Sequence, residues 1–181
     1  MTAAVIVIDM INDFVWGKFG FPGARGIMPR ISSLLSAARK RGLPVVYVCD
    51  SHERDDPELR VWGRHAMAGS EGSKVVRELT PGAGDVVLTK RTYDAFFETP
   101  LDEVLRGKGV RNVVLVGVVT DICIQNTAAG AFFRGYSTVV PEDCVASPDD
   151  ERNIRSLEYM RNIYGARVVR SEELISEWSG P

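Results

Sequence analysis

Residues 3–9 read Ala3-Ala4-Val5-Ile6-Val7-Ile8-Asp9, an unbroken apolar run that ends on a carboxylate. A strand wetted on one face alternates apolar and polar side chains, whereas a continuous run suits a strand covered on both faces. The same pattern recurs along the chain. Val45–Cys49 runs into Asp50, Val86–Thr89 into Lys90, and Val113–Val116 into Gly117; Ser137–Val140 and Ala166–Val169 complete the set. Between the strands lie helical patterns over 71–79, 100–107, 121–134 and 149–163, with 171–178 closing the chain. A further helix over 30–41 carries Ile31, Leu34, Leu35 and Ala38 on one stripe, with Gly42 as its stop. Thr99 is a candidate N-cap for the helix over 100–107. A Gly/Pro-rich loop reaching Pro29 follows the first strand, and a long loop over 51–70 follows the second. Strands alternating with helices predict a three-layer α/β/α fold built on a six-stranded, mostly parallel sheet, as one domain over 1–181.

The composition narrows the function. A net charge of −2 offers no basic face for nucleic acid. No apolar run approaches the roughly 20 residues of a membrane span. The N-terminus lacks a basic segment, and Asp9 interrupts its first apolar run, so a signal peptide is not expected. The three cysteines, Cys49, Cys123 and Cys144, are odd in number and widely spaced, which suits a reducing, cytoplasmic compartment rather than a disulfide framework.

In parallel sheets the ligand site lies beyond the carboxyl ends of the strands. That edge receives Asp9, Asp50 and Lys90 from three strand ends, and Cys123 from the helix start after the fourth. A cysteine in the first helical turn is favoured as thiolate by the helix dipole, and a thiolate is a nucleophile. Asp9 could take a proton, and Lys90 could hold developing negative charge. The bland alternatives are a buried structural thiol and solvated or mutually paired charges. Cys49 and Cys144 lie in or just after strands, away from a helix start. Lys90 is expected to serve charge rather than packing, so its loss should cost little stability.

Both histidines, His52 and His65, fall in the loop after the second strand. Asp50 and His52 are two apart and point the same way in extended chain. With His65 they form a carboxylate–imidazole set that leaves coordination positions open, as catalytic zinc or iron sites do. Glu58 is a candidate fourth ligand. Phe14, Trp62 and Tyr93, with Trp16, Phe96 and Phe97 nearby, could wall an aromatic pocket or simply be core.

Taken together, Val-Ile-Asp9-Met-Ile-Asn-Asp-Phe14, Asp50-Ser-His52, Trp62-Gly-Arg-His65, Lys90-Arg-Thr-Tyr93 and Gly117-Val-Val-Thr-Asp-Ile-Cys123 resemble the isochorismatase-like cysteine hydrolases, in the nicotinamidase and N-carbamoylsarcosine amidase branch. The resemblance runs from Val5 to about Val169. It implies strand order 3-2-1-4-5-6 and a catalytic triad of Asp9, Lys90 and Cys123. It also implies a divalent ion, expected to be zinc, on Asp50, His52 and His65, with Glu58 as an added ligand. A non-proline cis bond at Val118–Val119 is implied, with the backbone N–H groups of Val119 and Cys123 as oxyanion hole. Dimers or tetramers are further implied. Ser51, Arg64 and Ala66 depart from the usual nicotinamidase metal loops, so the pocket is expected to differ while the ligands remain. The implied activity is hydrolysis of a small linear amide, nicotinamide first. The alternatives are a ureido or carbamoyl amidase, and a thiol-bearing binding or redox-sensing protein without turnover.

Overall fold

The computed structural model describes residues 2–180. Its centre is a sheet of β1 (Ala3–Ile8), β2 (Val45–Asp50), β3 (Val86–Lys90), β4 (Asn112–Val118), β5 (Ser137–Pro141), β6 (Val145–Ala146) and β7 (Arg167–Val169). The strands run in the order β3-β2-β1-β4-β5-β7, all paired parallel. The expected path through six strands therefore holds, with β7 as its sixth member. The short β6 was not expected. β5 pairs with β4 only at residues 112–114, and beyond it Gly117 and Val118 take Val145 and Ala146 as partners. Backbone groups left open by one strand are thus taken by the next.

The helices are α1 (Asn12–Val15), α2 (Pro22–Lys40), α3 (Glu58–Trp62), α4 (Leu101–Gly107), α5 (Gln125–Phe133), α6 (Asp150–Tyr164) and α7 (Ser171–Ser179). β1 shows why they form two layers. Val5 and Val7 point to a core shared with α2 and α7, while Ala4, Ile6 and Ile8 point to a second core shared with α4, α5 and α6. The N-cap of α4 is Pro100 rather than the expected Thr99, whose Oγ1 still accepts from Leu101 N at 3.3 Å.

The loop expected over 51–70 contains the short helix α3, and two further expectations change. α2 starts at Pro22, eight residues before the predicted start at 30, and runs through Pro29. Proline suits a first helical turn, which accounts for Pro22. Inside a helix it costs about 3 kcal/mol. Here Ala24, Ile27, Met28 and Ile31 are all buried on the sheet, and that apolar burial on both sides of Pro29 offsets the cost. Residues 71–79 form no α-helix, only a 3₁₀ turn at Arg77–Leu79. Their backbone hydrogen bonds go instead to the segment after β1: Asn12 N donates to Lys74 O, Asp13 N to Gly72 O and Val76 N to Met10 O, each at 3.0 Å.

Candidate active site

Asp9 directly follows β1, and its φ of +54° lies in the left-handed region that aspartate tolerates better than most residues. On β2 and β3, Asp50 and Lys90 are register partners, so their side chains emerge side by side. Near the end of β4, Gly117 has a φ of +120°, and an added Cβ there would lie 2.0 Å from Ile8 O. Only glycine lets β4 approach β1 this closely. The cis bond Val118–Val119 follows, then a π-helical turn over Thr120–Ile124 that presents Cys123 at the start of α5.

The four groups meet below the surface. Lys90, 1% exposed, places Nζ 3.7 Å from Cys123 Sγ and 2.8 Å from Asp9 Oδ2, and ion-pairs with Asp50 Oδ1. Asp50 N donates to Asp9 Oδ1 at 2.8 Å. Asp9 Oδ2 lies close to the ammonium but off the direction of a hydrogen bond, which leaves it a lone pair. Oxygens of Asp9 and Asp50 and the sulfur of Cys123 all lie within 4.8 Å of one another.

Burial dominates the charges. It pushes Asp9 up to about 6, with the Asp50 carboxylate adding to the rise and Lys90 opposing it. Burial also raises the Cys123 thiol well above its ordinary value; Lys90 pulls the other way, but Asp9 and Asp50 reinforce the rise. The buried setting thus favours the thiol, against the pull of a helix start toward the thiolate, and leaves Asp9 the proton-accepting role expected of it. Lys90 resists burial and stays firmly charged because Asp50 and Asp9 face it. Cys49 and Cys144 are buried thiols, also held up by desolvation.

Asp50, His52, Glu58 and His65 form a second cluster beside the first, with one ligand atom from each within 4.8 Å of all the others. All four are buried. His52 Nδ1 lies 3.2 Å from Asp56 Oδ2, and His65 Nδ1 lies 2.7 Å from Gly63 O. Oxygen acceptors at Nδ1 fix the proton there and leave each Nε2 with a free lone pair. His52 Nε2 and Glu58 Oε1 are buried without a hydrogen-bond partner. Glu58 is pushed up to about 7 by burial and by Asp50. Converging lone pairs without a donor are costly unless a cation joins them, so these residues fit a divalent ion.

A cavity of about 160 Å³ opens above Cys123. Phe14, Trp62 and Tyr93 line it, together with Phe19, Ile122 and Arg152. Trp62 Nε1 donates to Tyr93 Oη at 2.9 Å, joining two walls. Phe96 is core instead, and Trp16 and Phe97 face outward. Three supporting residues escaped the sequence reading. Asp56 receives Arg91, Glu53 N and His52. Asp13 accepts from Ala66 N at 2.7 Å, fixing the residue after His65. Arg152 ion-pairs with Asp121 at the cavity wall. Asp13 lies inside a quoted motif, but nothing local marked its partner.

The sequence matches the family model described as Isochorismatase domain over residues 3–173. N-carbamoylsarcosine amidase from Thermoplasma acidophilum is 45% identical, with a TM-score of 0.91 over 95% of this chain and 98% of that one. Nicotinamidase PncA from Bacillus subtilis is 34% identical, with a TM-score of 0.88 over 94% and 100%. Pyrazinamidase of Pyrococcus horikoshii, solved in complex with zinc, is 28% identical, with a TM-score of 0.87 over 94% and 99%.

Proposed function

The chain belongs to the isochorismatase family, and from that premise we propose that it is a cysteine amidohydrolase that cleaves a small linear amide through a thioester on Cys123. One observation carries the reading: a buried Lys90 ammonium stands 3.7 Å from the Cys123 sulfur and 2.8 Å from Asp9, beneath a cavity. Asp9 Oδ2 takes the thiol proton as Sγ attacks the amide carbon. With Asp9 at about 6, its carboxylate is ionised at neutral pH yet basic enough to shuttle a proton. The backbone N–H groups of Val119 and Cys123 receive the oxyanion, and Lys90 offsets the added negative charge. Asp9 then returns its proton to the departing nitrogen, and ammonia leaves. Water, activated by the same carboxylate, hydrolyses the thioester and frees the acid.

Asp50, His52, His65 and Glu58 would hold a divalent ion, with zinc the ion proposed. When bound, it supplies a Lewis-acidic point for a substrate nitrogen or a water. The nearby pyrazinamidase with zinc supports this. Aromatic walls and the adjoining metal cluster favour a flat heteroaromatic amide, with nicotinamide the first candidate. A second reading, a carbamoyl amide bearing a carboxylate, rests on Arg152 in the cavity wall and on the 45% identity to N-carbamoylsarcosine amidase. The three buried free thiols suit the cytoplasm. The exposed Phe132, Phe133, Tyr159 and Ile163 suit a homo-oligomer.

The deciding experiment is ammonia release from nicotinamide and from N-carbamoylsarcosine, with and without added zinc. Release that disappears in Cys123→Ala is the expected result. No release from either compound, or from a wider set of small amides, would refute the amidase reading.

A further inference from the structure

The strand ends hold Asp9, Asp50 and Lys90, but Glu58, Trp62 and His65 come from α3 and the turn after it. α3 has five residues, too few to hold itself in isolation. Its last carbonyls have no helical partners of their own. Gly63, at φ +70°, bends the chain away at the helix end. On the far side of His65 the chain is well tied, since Asp13 binds Ala66 N and His52 N donates to Ala66 O at 2.9 Å. On the near side, one side chain reaches across from the segment after β1. Lys18 Nζ donates to Trp62 O at 2.9 Å and to Arg64 O at 3.1 Å.

These two carbonyls flank Gly63, whose own carbonyl orients His65 through Nδ1 at 2.7 Å. The same ammonium lies 4.9 Å from the centroid of the Phe19 ring. That ring meets His65 edge-on at 5.2 Å and an 82° interplanar angle. A cation at a helix C-terminus also opposes the negative end of the dipole.

We infer that Lys18 is a positioning residue: it caps α3 from outside the loop and so holds Glu58 and His65 in the arrangement that binds the ion, with Trp62 kept in the cavity wall beside them. The inference rests on the metal reading proposed above. Lys18 itself is exposed and its hydrogen bonds go to the carbonyls of Trp62 and Arg64, so its replacement spares the core.

The test uses the full chain and the variants Lys18→Met and Lys18→Arg. Zinc affinity is measured by competition with a chromophoric chelator, the ligand field by Co²⁺ absorption, and backbone protection by hydrogen exchange. Groups that orient metal ligands are typically worth 10–100-fold in affinity. Lys18→Met should therefore weaken zinc by about tenfold, change the cobalt spectrum and speed exchange over residues 58–66 alone. Lys18→Arg, which can still donate to both carbonyls, should recover most of the loss. Unchanged zinc affinity and unchanged exchange in Lys18→Met would overturn the inference, as would a loss of protection spread over the whole chain. A parent protein that binds no zinc would refute the metal reading instead, while the exchange arm would still decide whether Lys18 holds the turn.

Discussion

Replacing Lys90 with methionine should unfold the protein more readily as well as silence it. Its placement overturns the expectation that Lys90 serves charge at no cost to stability. Lys90 is 1% exposed and its ammonium faces two carboxylates, Asp9 at 2.8 Å and Asp50 closer still. Methionine fills most of the space but leaves two buried acids without a counter-charge. Removing one partner of a buried ion pair costs about 3–5 kcal/mol. For a chain of this size that is roughly 6–20 °C in Tm.

The deficit should depend on pH. Asp9 sits at about 6 even with Lys90 beside it, and loss of Lys90 raises it further. A carboxyl whose folded pKa exceeds its unfolded value, about 3.9, binds protons more tightly when folded, so stability falls as pH rises through that window. Urea melts of parent and variant should differ most near pH 8 and converge toward about pH 5, where folded Asp9 is protonated. The double variant Lys90→Met/Asp50→Asn, which removes one charge of each sign, should be more stable than Lys90→Met alone. Activity should fall about 10²–10³-fold, the usual effect of losing a group that stabilises an oxyanion. A variant within about 0.5 kcal/mol of the parent near pH 8, or a deficit that ignores pH, would refute the argument.

Cys123→Ala should abolish turnover while its far-UV spectrum and melting stay near the parent's, whereas Cys49→Ala and Cys144→Ala should keep their activity; loss of chemistry in either of those two would mean the wrong sulfur has been chosen. The pair His52→Ala/His65→Ala leaves the chain without histidine, so its zinc content by elemental analysis should drop to background; equal metal in variant and parent would remove the histidines as ligands. The rate kcat/KM should fall on the acid side at or below about pH 6, because Asp9 must be ionised to accept the thiol proton. A bound cation, by neutralising Asp50, should move that limb lower, and a profile flat down to about pH 4 would rule Asp9 out as proton acceptor.

The strands and the edge where Asp9, Asp50, Lys90 and Cys123 meet were legible from the chain alone. A strand covered on both faces must be apolar throughout, and a parallel sheet sends all its carboxyl ends to one side. What escaped the sequence depended on partners far along the chain. α2 continues through Pro29 because Ala24, Ile27, Met28 and Ile31 find a sheet to cover. Residues 71–79 forgo an α-helix because the backbone of residues 10–13 takes their hydrogen bonds. Asp13, Asp56 and Lys18 look like ordinary loop charges until folding sets Ala66, His52 and the end of α3 before them. The protonation of Cys123 shows the division most sharply. Its place at a helix start speaks for a thiolate, since the helix dipole is local. Its desolvation, and the carboxylates brought up by β1 and β2, exist only in the folded chain, and there they raise the thiol against the pull of Lys90.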